Sequence, residues 1–139
     1  MEEELIRFGV SIPKNLLQQF DQLIAAKGYQ SRSEAIRDLV RNDLVGQEWE
    51  EGEQETFGTL TIVYDHHIGN LTHTLAEIQH RFFDLIISNV HVHIDHDNCL
   101  EVILLKGDNR RIKEISDEVI SLKGVKYGKL TAATTGKEL

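Results

Sequence analysis

Apolar and polar positions alternate from Leu5 to Ile12, with Ile6, Phe8, Val10 and Ile12 on one side and Arg7, Gly9 and Ser11 on the other. A period of two predicts a β-strand. Pro13 follows, suited to the start of a helix because its missing N–H would find no intrahelical acceptor there. Leu16, Leu17, Phe20, Leu23 and Ile24 then recur at helical spacing, and Lys27-Gly28 is a glycine stop. Ser31-Arg32-Ser33-Glu34 has the form of a capping box, opening a second helix whose buried face is Ala35, Ile36, Leu39, Val40 and Leu44. Residues 1–46 therefore predict a βαα unit. Its single strand has no partner inside the unit, and so short a chain makes a marginal core. Antiparallel pairing with the same strand of a second copy answers both problems.

Residues 47–56 carry five acids and no base and are read as a linker or fraying helix end with a solvated face. From Phe57 the order is strand, helix, strand, strand, helix, strand. The expected elements are Thr59–Asp65, roughly Asn70–Asp84, Ile86–Ile94, Cys99–Leu105, Asn109–Leu122 and Val125–Thr134. Two β-α-β units in series predict a ferredoxin-like βαββαβ domain over residues 57–139, with both helices on one face of the sheet. The fold class is α+β.

Composition adds boundaries to this picture. The 139 residues hold one cysteine, which excludes an intrachain disulfide framework and suits a reducing cytoplasm. No apolar run approaches a membrane span, and Met1-Glu2-Glu3-Glu4 is unlike the basic start of a signal peptide; a soluble cytoplasmic protein is expected. The net charge of −8 does not suggest general nucleic-acid affinity, but the charge is uneven. Residues 5–45 carry six Lys/Arg against four Asp/Glu, whereas residues 46–139 carry nine against sixteen. All seven histidines lie between His66 and His96.

The candidate chemistry sits in His91-Val92-His93-Ile94-Asp95-His96-Asp97-Asn98-Cys99. Alternation puts both His91 and His93 on one side of a strand, and Asp95 to Asn98 is turn chemistry. With an odd-numbered hairpin loop, His93 faces Cys99 and His91 faces Glu101, close enough for two imidazoles and a thiolate to share one ion. Val90, Val92, Ile94, Leu100, Val102 and Leu104 are expected to face the helices, leaving His91, His93, Cys99 and Glu101 on the open face. On the preceding helix His80 lies about 200° around from Ile78, away from the stripe Leu71, Leu75, Ile78 and Phe82. It is expected to serve as a fourth ligand only for another subunit. His66, His67, His73 and His96 are read as surface polarity. One competing reading makes Cys99 a nucleophile beside a histidine base, but an open sheet face encloses no small-molecule substrate. A second makes the chain a metal store or chaperone whose N-terminal unit only dimerises.

At the other end, a two-stranded ribbon would present Arg7, Gly9 and Ser11 of each chain outward, and such a ribbon fits the major groove of double-stranded DNA. The start of the second helix, at Ser31, Arg32 and Ser33, suits a phosphate.

A ribbon-helix-helix start followed by this His/Cys hairpin resembles the nickel-responsive transcriptional repressors of the NikR family. The resemblance rests on R-F-G-V-S-I-P at 7–13, G-Y-x-S-R-S-E-A-I-R-D at 28–38, Q-H at 79–80 and H-V-H-I-D-H-D-N-C-L-E at 91–101. It implies a non-enzymatic homotetramer, a dimer of dimers, in which ACT-type regulatory domains form the centre and ribbon-helix-helix pairs bind operator DNA. It places one Ni(II) per subunit on His91, His93 and Cys99 of one chain and His80 of another, in a planar four-coordinate site. A nitrogen-rich tetragonal site with one thiolate suits Ni(II) or Cu(II) better than tetrahedral Zn(II). The base-reading positions map to Arg7, Gly9 and Ser11. Family members often carry a hydroxyl at the middle one, whereas Gly9 permits only close backbone approach. A further, potassium-like cation is implied on Glu34 and Asp38 with backbone carbonyls of Ile120, Leu122 and Val125.

Overall fold

The computed structural model describes residues 3–51, 55–137 and 139, and the chain divides into two compact units, Met1–Arg41 and Asn42–Leu139. Residues 3–13 lead into helix α1 (Lys14–Ala26) and then α2 (Arg32–Glu51), of which the part up to Arg41 belongs to the first unit. Pro13 stands at the α1 N-cap, its carbonyl accepting the Leu17 N–H at 3.0 Å. The helix stops where Gly28 takes a φ of 88°, a left-handed conformation glycine adopts without steric cost. The Ser31 hydroxyl accepts the Glu34 N–H at 3.2 Å, so half of the expected capping box is formed. A two-pronged Arg32–Asp21 ion pair, both contacts 2.8 Å, joins the start of α2 to α1.

Leu5–Ile12, expected as a strand, has no regular secondary structure here. A strand is defined by its ladder, and a single unit of this kind contains no second strand to complete one. Within Met1–Arg41, only Ile24 and Ala35 are buried among the described apolar side chains, while Ile6, Phe8 and Val10 are 81, 74 and 67 % exposed. With Leu16, Phe20 and Leu39 these residues line an open apolar groove of about 930 Å³.

The second unit is a four-stranded antiparallel sheet in the order β2-β3-β1-β4, with β1 (Glu55–Asp65), β2 (Ile86–His93), β3 (Asn98–Asp108) and β4 (Val125–Ala132). Helices α3 (Leu71–Arg81) and α4 (Asn109–Ile120) are the crossovers. This is the βαββαβ arrangement expected from the alternation of periods. α3 is shorter than anticipated, ending at Arg81, with Phe82 and Leu85 buried in the turn that follows. On β1 the even-numbered residues Leu60, Ile62 and Tyr64 are buried, and on β3 the odd-numbered Cys99, Ile103 and Leu105. They meet Leu71, Leu75 and Ile78 of α3 and Ile112, Ile115 and Val119 of α4 in one core. Each such aliphatic side chain contributes roughly 1.5–3 kcal/mol by burial.

The stretch read as a linker belongs partly to regular elements: α2 continues to Glu51 and β1 begins at Glu55, with residues 52–54 outside the described residues. The acid run there is not only a solvated face. Trp49 is buried within it, donating its indole N–H to the Ala133 carbonyl at 2.8 Å. Gly58 makes room, since a Cβ at that position would stand 3.1 Å from the Trp49 ring. Among the described residues no helix is long and apolar enough to cross a membrane.

Candidate metal centre

The hairpin joining β2 to β3 is held by Asp95, whose Oδ1 accepts the N–H groups of Asp97 and Asn98 at 2.9 and 2.8 Å. These hydrogen bonds, Asn98 first, keep the Asp95 carboxyl below the usual carboxylate range. The loop sets the register expected from its odd length, with His93 opposite Cys99 and His91 opposite Glu101. Across the next strand pair, Tyr64 stands opposite Cys99 and Ile62 opposite Glu101. Two rows therefore cross the sheet, Tyr64-Cys99-His93 and Ile62-Glu101-His91.

These rows lie on the helix-covered face, which corrects the expected orientation. Cys99 and Glu101 are only 0 and 5 % exposed, whereas Val90, Val92 and Ile94 are exposed and Leu100, Val102 and Leu104 half-buried on the other side. The reason is that β3 is apolar on both faces, so alternation alone could not choose between them. A thiol packs as a small apolar group, and the Glu101 carboxylate is satisfied by the Gln79 side-chain amide, which donates to it from α3 at 2.8 Å. Gln79 of the Q-H motif is thereby tied to the residue that stands opposite His91 of the H-x-H motif.

The Cys99 Sγ lies 3.4 Å from His93 Nδ1 and 3.3 Å from His66 Nδ1. Burial chiefly, then the negative charges of Asp95, Glu101 and Asp65, push its thiol pKa up, so the thiol keeps its proton until a cation compensates. Tyr64, 2 % exposed beneath the site, is pushed up to about 12 by burial, then by Glu101 and Cys99. The donor set of two imidazoles and a thiol within 4.8 Å of one another fits a borderline transition-metal ion. His91 stands beside it, its ring centroid 5.2 Å from that of His93. Both His91 and His93 are exposed because β2 is an edge strand.

His66 is the residue that sequence reasoning passed over. It follows the end of β1, and only the pairing of Tyr64 with Cys99 carries it to the thiol. The adjacent histidines after a strand were the available signal, but their meaning depended on which strand lay beside β3. His80 is exposed in the last turn of α3 and joins neither of the two three-donor groups found among the described residues. Its neighbour Gln79 is the residue turned to the sheet, and His80 lies about 100° further round the helix.

The remaining sequence candidates divide between the units. Arg7, Gly9 and Ser11 are exposed in the segment before α1, and Ser31, Arg32 and Ser33 are exposed at the start of α2, with Arg32 engaged by Asp21. Asp38 accepts from the Tyr29 hydroxyl at 2.6 Å and pairs with Arg41 at 3.5 Å, while Glu34 supplies the capped N–H. In the second unit the Leu122 carbonyl accepts the Val125 N–H at 3.1 Å, and Ile120 ends α4.

A pair of helices preceded by an N-terminal segment without regular structure, joined to a βαββαβ domain bearing a His/Cys centre at its sheet edge, defines a two-part metal-binding protein. Comparison with known proteins agrees in both parts. The family model described as the NikR C terminal nickel binding domain matches residues 57–133, and that of the ribbon-helix-helix proteins of the copG family matches residues 6–45. A relative from Pyrococcus horikoshii is 55 % identical over 136 residues, covering 98 % of this chain and 99 % of its own. One from Geotalea uraniireducens is 57 % identical, with 98 % of each chain covered. Both carry the provisional name nickel-responsive regulator. A solved structure, an uncharacterized protein from Thermotoga maritima, shares the fold at 24 % identity and a TM-score of 0.52, over 57 % of this chain and 98 % of that one. The chain belongs to the NikR family, whose members are nickel-responsive transcription regulators and not enzymes.

Proposed function

We propose that this chain is a cytoplasmic repressor that binds an inverted-repeat operator when nickel is bound. Residues 1–46 would form the DNA-binding part, and residues 57–139 the regulatory part. The observation that carries the reading is the Cys99 thiol held at 3.3 and 3.4 Å by two imidazoles beside an exposed His91 on an edge strand. His91, His93 and Cys99 are assigned as ligands, one Ni(II) per subunit, and the fourth ligand is His80 of another subunit. His80 fits that role because it is exposed and belongs to neither three-donor group found among the described residues of its own chain, while the edge strand leaves the centre open to a neighbour. His66 holds the Cys99 sulfur from the β1 side, and Gln79 fixes Glu101 beside His91. Bound nickel supplies a cross-link between these side chains and takes part in no reaction. Cys99 must release its proton on loading, so loading weakens as the solution is acidified.

Two exposed apolar surfaces support a homotetramer, a dimer of dimers. The Ile6, Phe8 and Val10 side of the N-terminal segment suits pairing into a ribbon with its copy, leaving Arg7, Gly9 and Ser11 to face base edges and Ser31, Arg32 and Ser33 to face phosphates. Val90, Val92, Leu100, Val102 and Tyr127 leave the helix-free face of the sheet apolar, suited to a second contact between subunits. Glu34 and Asp38 are assigned as carboxylates toward a potassium-like cation, as the family resemblance implies. Potassium-dependent operator affinity, lost in Asp38→Ala, is its expected mark.

The test of the function is operator binding by the full chain titrated with Ni(II), Cu(II), Zn(II) and Co(II). Ni(II) should raise specific affinity by about 5–150-fold, the range that a coupling of 1–3 kcal/mol produces. Binding indifferent to every metal would overturn the reading and favour a metal store.

A further inference from the structure

We infer that Lys126 is a positioning residue for the His/Cys centre, holding from β4 the turn that sets Cys99 against His93; the inference rests on the ligand assignment proposed above. Val63 pairs with Tyr127 and the next residue, Tyr64, pairs with Val125, so Lys126 has no partner on β1 and is the extra residue of a β-bulge. In a regular strand, residues two apart share a face. Here Val125 stands opposite buried Tyr64, whereas Tyr127 stands opposite Val63 on the other face of the sheet. A bulge re-aims the side chain it carries. The sheet order places β1 between β4 and β3, and Lys126 reaches across the end of β1 to donate from Nζ to Asn98 Oδ1 at 2.7 Å.

Asn98 is the residue through which this contact acts. Its Nδ2 donates to both carboxylate oxygens of Asp95 at 3.2 Å, and its carbonyl accepts the Ile94 and Asp95 N–H groups at 2.9 and 3.3 Å. It immediately precedes Cys99, so a shift of Asn98 moves the sulfur relative to His93. The bulge has a fixed base of its own. Gly124 takes a φ of 100°, and its carbonyl accepts the Asp65 N–H at 3.1 Å. Lys126 thus braces the hairpin turn against an anchored strand. With the turn held before a metal arrives, less ordering remains to be supplied on binding. Charge alone acts the other way, since an ammonium group beside the hairpin repels a dication. The sign of the effect on metal affinity therefore separates positioning from electrostatics.

The experiment is Ni(II) titration of the full chain in competition with a chelator, read by the nickel thiolate absorption. Lys126→Met should weaken nickel binding by about 2–5-fold, the size of one exposed charge-assisted contact. Lys126→Arg, which keeps a charged donor, should restore most of that loss. Asn98→Ala should weaken binding as well, and adding Lys126→Met to it should cost nothing further, because both changes break the same contact. In the metal-free chain, hydrogen exchange of the Ile94 and Asp95 amides should quicken in Lys126→Met while that of α4 stays as in the wild type. General destabilisation would quicken both. Unchanged or tighter nickel binding in Lys126→Met, or a loss that adds to that of Asn98→Ala, would overturn the inference while leaving the metal centre in place. Absence of the thiolate absorption from nickel-loaded wild type would instead overturn the ligand assignment, and the inference with it.

Discussion

The two units solve the same problem in opposite ways. Asn42–Leu139 closes its own core, with Leu60, Ile62, Ile103, Leu105, Ile112, Ile115 and Val119 all fully buried. Met1–Arg41 buries only Ile24 and Ala35 among its described apolar residues and leaves Ile6 81 % and Phe8 74 % exposed. A chain segment of that size cannot bury enough surface alone, so its apolar positions carry information about a partner. The second unit is complete as a fold, and on the proposed function it takes its fourth metal ligand from a neighbour, since His91 and His93 stand at an edge with an open side. On the proposed function each unit specifies association, one through missing packing and the other through a missing ligand.

Deleting a core side chain should separate the two most sharply. Ile103→Ala removes a fully buried residue and should cost the second unit about 2–5 kcal/mol, read by chemical denaturation. Phe8→Ala should leave that transition where it was and weaken association of the N-terminal units, seen as a loss of operator affinity at unchanged nickel content. If Phe8→Ala lowered the denaturation midpoint as much as Ile103→Ala, the contrast between the units would be wrong.

Arg7→Ala should be next in size. Loss of a base contact costs about 1–3 kcal/mol, counted at least twice on a symmetric site. Specific operator binding should fall at matched salt while nickel binding and oligomeric state stay the same. Wild-type affinity in this variant would remove the ribbon from the DNA interface.

The smallest effect concerns the thiol. Glu101 is one of the charges that raise the Cys99 pKa, after burial and Asp95. Glu101→Gln removes that charge, so the pH at which the metal-free thiol becomes reactive to an alkylating agent should move down. A shift upward, or none, would show that Glu101 does not act on Cys99 through its charge.

The contrast between the units also explains what could be read in the residues alone. Alternation and helical spacing located both units, and the length of the Ile94–Asn98 loop fixed His93 against Cys99 and His91 against Glu101. The orientation of the hairpin was not legible, because Leu100, Val102 and Leu104 on one face are as apolar as Ile103 and Leu105 on the other. Burial of Glu101 became reasonable only with Gln79 above it. His66 needed the strand order, since nothing local ties it to Cys99. The buried side of the acid run needed Ala133, 84 residues from Trp49, to be seen as its partner.

The central claim, that nickel ties subunits together through His80 of one and the His/Cys centre of another, is tested most directly by mixing. His80→Ala and Cys99→Ala chains are each expected to lack the planar nickel spectrum and nickel-dependent operator binding. In mixed assemblies verified by mass, intact His80 from the Cys99→Ala chain can meet intact His91, His93 and Cys99 of the other. The nickel thiolate absorption should return in proportion to the mixed species. Its absence from verified mixed assemblies would contradict the account and place all four ligands within one chain.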